Sequence, residues 1–364
     1  MQMINTSSFS SWRDNSRVPT DMHEIFEFRV VEEFADRLFG PDEGRKLGIV
    51  RVIRIAGDDP RLPKIGELDR TIHQDSGGCF FFGWRIVRKY SKEELDAATL
   101  LHLTITAVFE PAGEECGTLY DESAACPRCG AGAAQESGLK LDLRKVPKGK
   151  DIARTIADEW IVSQRLAERM TDAGLTGFEL RPVRHKARYE VDPLDFHNVP
   201  TGRDILLEAE KEGAPHPTWN FWVWLNRPKN LAMLEHAKAE HVALKREKSR
   251  RSGKPIPIWY QLAVTSSDAE IVPSTRVGLK PFNNDPEGEC RCPLGDTIGL
   301  ALLSEVSISA VSRSEADIVC SRQFIGLRRG LLRPSRVILI SPRFRKLIES
   351  ESLTGVRIEV AHLV

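Results

Sequence analysis

The sequence predicts an α+β protein: an N-terminal α+β region followed by two degenerate copies of one unit, running strand, zinc knuckle, strand, helix, strand. Two observations carry this expectation. Ser163 and Ser341, Arg165 and Arg343, Leu175 and Leu353, Thr176 and Thr354, and Gly177 and Gly355 match in one frame, 178 positions apart (341 − 163). The seven cysteines, Cys79, Cys116, Cys126, Cys129, Cys290, Cys292 and Cys320, are odd in number and fall in tight groups, which suits metal ligation better than a secreted disulfide framework.

Composition narrows the classes of function. A chain of 364 residues has room for two or three domains. Lys+Arg and Asp+Glu stand at 52 each, so no global charge draws it to nucleic acid or a membrane surface. Met1 to Thr20 is rich in Ser and Asn and lacks the apolar core of a signal peptide, and no later run reaches the length of a membrane span. The expected setting is cytoplasmic.

Residues 1–20 read as a mobile terminus and 21–99 as the N-terminal α+β region. Ile25 to Val31 alternates like a strand, and Glu32 to Phe39 is a short amphipathic helix stopped by Gly40–Pro41. Leu47 to Ile55 is β-rich and ends at Gly57–Asp58–Asp59–Pro60; Cys79 to Val87 reads as a buried strand. Ser91 then caps a helix, with Glu94 in the capping-box position.

The first copy occupies 100–185. Leu101 to Phe109 alternates as a strand and leads to Cys126–Pro127–Arg128–Cys129–Gly130, the shape of a zinc knuckle: two thiolates on one tight turn, with a Gly that lets backbone N–H groups face sulfur. Gly113-x-x-Cys116-Gly117 looks like a matching knuckle whose leading Cys is gone. Cys116, Cys126 and Cys129 are therefore the expected ligands of a structural zinc. A closed site needs a fourth, left open among Asp121, His102 and His73.

Leu139 to Leu143 is a short strand, and Pro147–Lys148–Gly149–Lys150 a turn without the Gly-rich approach of a phosphate loop. The run Trp160–Ile161–Val162 ends at Ser163, placed to cap a helix with Leu166 and Met170 on its apolar face. Leu175–Thr176–Gly177 turns the chain into the alternation Phe178/Leu180.

Residues 186–257 read as an insertion. It holds a helix over Arg203 to Glu212, an aromatic strand Trp219 to Trp224, and a helix over Leu231 to Lys248 that ends in the basic run Lys245 to Arg251. The tryptophans are expected to be buried, because no Arg or Lys interleaves with them as base stacking would require.

The second copy spans 258–364. Ile258 to Val264 is the strand before a knuckle, and Cys290–Arg291–Cys292–Pro293–Leu294–Gly295 takes the knuckle's place. Cys292–Pro293 echoes Cys126–Pro127, but Leu294–Gly295 stands where a second thiol belongs. This half reads as a ribbon that has lost its zinc and packs apolar groups instead. Leu300 to Val311 and Asp317 to Ser321 are strand-like, Gly326 to Gly330 is a turn, and Phe344, Leu347 and Ile348 mark the second helix before the strand carrying Val356 and Ile358.

No His-Glu-x-x-His, His-x-Glu with Pro-Cys-x-x-Cys, or Gly-x-Ser-x-Gly motif is present. Asp158–Glu159 are adjacent carboxylates whose side chains point in different directions, a poor acid/base pair. The expected function is binding rather than catalysis.

Together, Gly113-x-x-Cys116-Gly117, Cys126-Pro-Arg-Cys129-Gly130, Ile161–Val162–Ser163 and Leu175-Thr-Gly-Phe178-Glu179 resemble the double-CxxCG family of bacterial proteins. The resemblance covers mainly residues 100–185, and the chain departs from it at Gly113, where the family has a Cys. It implies a structural zinc and a protein of the toxin-immunity type, whose partner is a cognate toxin. The alternative is a nucleic-acid-associated ribbon protein using Lys245 to Arg251 together with Arg328, Arg329, Arg333 and Arg336.

Overall fold

The computed structural model describes residues 24–186, 255–281 and 291–364, apart from 313, 327, 329 and 330. It is an α+β protein. The helices and aromatic strand expected within 187–254, the basic run Lys245 to Arg251, Arg329 and Cys290 lie outside the described residues.

The N-terminal region is a sheet of four strands in the order β2-β3-β1-β4: β1 (Glu24–Val31), β2 (Arg45–Leu47), β3 (Val50–Ala56) and β4 (Phe81–Arg88). A one-turn helix α1 (Glu32–Ala35) follows β1, and α2 (Leu62–Ser76) buries Ile65 and Ile72 against Phe26, Phe28, Ile53 and Ile86. The sequence reading missed α2: Pro63 lies in its first turn, as helix starts favour, but the residue before it, Arg61, supplies no side-chain cap. The expected capping box does form at α3 (Lys92–Ala97), where Ser91 Oγ accepts from Glu94 N–H and the Glu94 carboxylate accepts from Ser91 N–H.

The remainder is built on two five-stranded sheets. The first segment supplies β5 (Leu100–Ile105), β6 (Val108–Phe109), β7 (Tyr120–Asp121), β8 (Ala134–Gln135), β9 (Lys140–Leu141), β10 (Ile152–Thr155), β11 (Trp160–Ser163), α4 (Gln164–Asp172), β12 (Phe178–Pro182) and β13 (Arg184–His185). The second supplies β14 (Trp259–Val264), β15 (Val277–Gly278), β16 (Ala301–Leu302), β17 (Val306–Ile308), β18 (Ile318–Ile325), β19 (Ser335–Ile340), α5 (Pro342–Ser350) and β20 (Val356–Leu363).

The two segments exchange a strand. The sheet orders are β12-β14-β11-β10-β6 and β17-β20-β5-β19-β18, so β14 lies between strands of the first segment and β5 between strands of the second. The registers correspond: Ile161 faces Gln261 as Leu339 faces His102, and Leu180 faces Leu262 as Ile358 faces Leu103. The run Leu101 to Phe109 is therefore two strands, β5 in one sheet and β6 in the other. The bend between them is fixed where Thr106 N–H donates to Gly355 O; Thr265 N–H donates to Gly177 O in the same way.

Two carboxylates that the sequence reading passed over hold the exchange. Asp151 accepts from Ser163 Oγ at 3.2 Å, Arg165 Nη2 at 2.8 Å and the N–H of Thr354, from the other segment, at 3.0 Å. Asp317 accepts from Ser341 Oγ at 2.7 Å, Arg343 Nη1 at 3.4 Å and the N–H of Thr176 at 3.0 Å. Ser163 and Ser341 also cap α4 and α5, accepting from Leu166 and Phe344 N–H.

Gly177 and Gly355 have φ of 93° and 102°, and a Cβ at either would overlap a backbone carbonyl of the opposite segment, Ile318 O or Ile152 O. One apolar core, including Leu101, Leu103, Val162, Leu166, Leu262, Ile340 and Phe344, fills the space between both sheets and both helices.

Candidate metal centre

The knuckle segments lie on the long excursions that leave the exchanged strands, one between β6 and β10 and the other between β14 and β18. Each closes by the same bond: Cys126 N–H donates to Ala131 O and Cys292 N–H to Thr297 O, both at 2.7 Å. Gly130 N–H then donates to Cys126 O at 2.8 Å and Gly295 N–H to Cys292 O at 2.9 Å, with left-handed φ of 72° and 87° that a Gly takes without strain. Pro127 and Pro293 follow the cysteines and fix φ where each turn begins.

Tertiary contacts bring the two turns together. Phe324 N–H of β18 donates to Asp296 O at 2.7 Å and Ile298 N–H to Phe324 O at 3.0 Å, which anchors the second turn to its sheet. From the second segment, Arg328 reaches Glu122 at 2.5 Å, and its aliphatic stem covers Gly130 so closely that a Cβ there would collide with it. The result is a group of four donors, Cys126, Cys129, Cys292 and Asp296, whose ligand atoms all lie within 4.8 Å of one another.

The spacing suits a metal ion. The Cys126 and Cys292 sulfurs are 3.5 Å apart, and Cys292 Sγ is 3.8 Å from Asp296 Oδ2. Tetrahedral coordination with Zn–S bonds near 2.3 Å and Zn–O near 2.0 Å puts these pairs at about 3.8 and about 3.5 Å. Cys292 is buried, and the other three are half-buried.

Electrostatics divide the protons among these donors. The Asp296 side-chain hydrogen bond pushes the Cys126 thiol up to about 11. Burial opposes ionisation of Cys292, but backbone bonds at Leu294 and Asp296 and the thiols of Cys126 and Cys129 outweigh it and lower that pKa. A metal would displace the remaining thiol protons on binding.

Two sequence expectations change here. Cys116 is not in the group: it sits on a short 3-10 turn, Glu114–Cys116, closed by Gly117, with 1% of its surface exposed, and burial pushes its thiol up to about 11. Gly113, where the resemblance asks for a Cys, packs so tightly that a Cβ would meet Glu159 Oε1, Thr118 Oγ1 and Leu139. The second knuckle, read as having lost its metal, instead supplies two of the four donors.

The other suggested ligands lie outside this group. His102 lies in β5 between charged Glu359, Arg357 and Arg88, and burial lowers its pKa to about 4. His73 Nδ1 is within 3.2 Å of Gly78 O, and Asp121 accepts from Ser123 N–H at 2.8 Å. Cys320 is in the central core with 2% of its surface exposed.

A cleft of about 380 Å3 opens beside the first knuckle, lined by Tyr120, Gly130, Asp158, Glu159, Arg333 and Arg336 among others. Asp158 accepts from Arg154 at 2.9 Å, and burial raises its pKa. Glu159 is saturated by Gly113 N–H at 2.9 Å, Tyr120 O–H at 2.5 Å and the Thr155 hydroxyl. The adjacent carboxylates thus take separate partners.

Arg333 lies over the Tyr120 ring at 4.0 Å and pairs with Glu114 at 3.1 Å; Arg336 lies over Phe324 at 4.6 Å and donates to the carbonyls of Ser267 and Ser321. With Arg328 held by Glu122, the three described arginines proposed for a nucleic-acid surface are all engaged within the chain.

Among the described residues, no helix is long and apolar enough to cross a membrane. Comparison with protein-family models, with curated proteins and with solved structures finds no match to this chain.

Proposed function

We propose that the chain is a protein-binding protein of the toxin-immunity type, on a scaffold stapled by one structural zinc ion at Cys126, Cys129, Cys292 and Asp296. The observation that carries the reading is the donor set. Three thiolates and a carboxylate fill a tetrahedral shell and leave no open position for substrate, which is the pattern of structural rather than catalytic zinc. The soft sulfur donors favour zinc over the oxygen-seeking magnesium and calcium. Zinc here ties two excursions far apart in sequence, so its chemistry is spent on shape, and the partner surface lies on the scaffold. The engaged carboxylates of the cleft speak for the same division of labour.

Two measurements test the reading. Elemental analysis of the purified chain is expected to give one zinc per molecule; zinc-free protein that folds normally overturns the staple. Co-expression with the toxin encoded beside the gene is expected to restore growth and to yield a stable complex. Absence of both protection and complex overturns the immunity reading.

A further inference from the structure

We propose that Cys126 and Cys292 form a reversible disulfide across the metal centre, so that the same residues hold a metal when reduced and cross-link the two segments when oxidised. The metal half of this statement rests on the zinc reading above; the cross-link stands on the thiol geometry alone.

The two sulfurs are already in contact at 3.5 Å, and a disulfide requires closure to about 2.05 Å. They belong to separate turns, so closure asks for a small approach of one turn to the other. A bond between Cys126 and Cys129 would instead reshape a single turn closed by the Cys126–Ala131 and Gly130–Cys126 hydrogen bonds. Exposure assigns the roles: Cys126 is half-buried and open to a small oxidant, whereas Cys292, 5% exposed, is sheltered behind it as the resolving thiol. All six described cysteines are free thiols; Cys116 and Cys320 are buried, and Cys79 lies in the N-terminal region.

The chemistry balances with a hydroperoxide as oxidant. Cys126 sulfur attacks the terminal peroxide oxygen; the O–O bond breaks, and the departing alkoxide leaves as an alcohol or, from hydrogen peroxide, as water, taking the thiol proton or, where the metal has displaced it, a proton from solvent. Cys292 sulfur then attacks the Cys126 sulfenic sulfur, the S–O bond breaks, and hydroxide departs as water with a second proton from the same source. The peroxide gains two electrons and the thiol pair loses two. Cys129 and Asp296 alone cannot retain the metal, which is released as the aquo ion.

The test uses the full-length reduced protein treated with hydrogen peroxide. Metal release is followed with a chromophoric chelator, and cross-linked peptides are identified by mass spectrometry. The expected result is one metal released per Cys126–Cys292 link, with dithiothreitol reversing the link and restoring metal uptake. Cys129→Ser should retain the link and Cys292→Ser should lose it; if Cys292→Ser fails to fold, wild type and Cys129→Ser carry the test.

A link from Cys126 to any other cysteine, or oxidation to sulfinic acid without a link, overturns the inference while leaving the zinc reading intact. A link formed in a chain that binds no metal supports the disulfide and overturns the zinc reading.

Discussion

The first segment, 100–185, and the second, 259–363, share backbone contacts but not the side chains of the candidate metal group. In both, an Asp–Ser–Arg contact meets a Thr–Gly turn from the opposite segment, Asp151 with Thr354 and Asp317 with Thr176. In both, the knuckle closes through the same N–H to carbonyl bond. The donors nevertheless differ: the first turn offers two thiols, the second one thiol and a carboxylate. Backbone geometry at the exchanged strands tolerates little change, because each contact satisfies a buried polar group. A metal shell is less strict, since a carboxylate four residues along can replace a thiolate if it reaches the same point.

The sharpest way to break the comparison is to remove donors from each side. Cys126→Ser, Cys129→Ser and Cys292→Ser are each expected to abolish stoichiometric zinc in elemental analysis. Asp296→Asn should weaken binding by more than the ~10–100-fold that loss of an outer-shell partner costs. Retention of full zinc by Cys292→Ser would return the site to the first segment alone.

Next in size are the glycines at the crossing points. Gly177→Ala and Gly355→Ala force a side chain onto a carbonyl at left-handed φ, and each should destabilise by about 2–5 kcal/mol in urea unfolding. Similar losses at both sites support equivalent crossings, whereas a neutral result at one would break the equivalence.

The carboxylate hubs come third. Asp151→Ala and Asp317→Ala leave a Thr N–H without its acceptor and take the carboxylate from Arg165 or Arg343, which keep only backbone carbonyls, at a cost of about 2–4 kcal/mol each. A double mutant in the same denaturation assay should show near-additive losses if the two hubs act independently.

The smallest effect sharpens an asymmetry. His102 in β5 occupies the place that Gln261 holds in β14, and burial lowers its pKa from 6.5 to about 4. The unfolded chain therefore binds a proton that the folded chain refuses. Stability from this group is full above pH ~6.5 and lost as pH falls towards 4, by at most about 3 kcal/mol. His102→Gln should flatten that part of the stability–pH curve; an unchanged slope between pH 4 and 6.5 assigns it to other groups.

Much of this was legible because it is local. Ser91–Glu94, Ser163 and Ser341 announce helix starts through bonds made within a few residues. The knuckle at Cys126–Cys129 is legible for the same reason. By contrast, α2 lacked a side-chain cap at its start, and Leu101 to Phe109 alternates without a break although its two ends enter different sheets. Asp151 and Asp317 stand out by no pattern, since their partners lie across the molecule.

The sequence by itself determined the turns, the caps and the positions requiring glycine, because these depend on backbone φ and on bonds between near neighbours. Tertiary structure alone decided that β5 and β14 change places, that Cys116 is a core residue, and that Cys292 and Asp296 join Cys126 and Cys129 in a group close enough to hold a metal ion. Those outcomes are fixed by sheet register and by which buried groups find partners across the core, and neither is written in the spacing of residues along the chain.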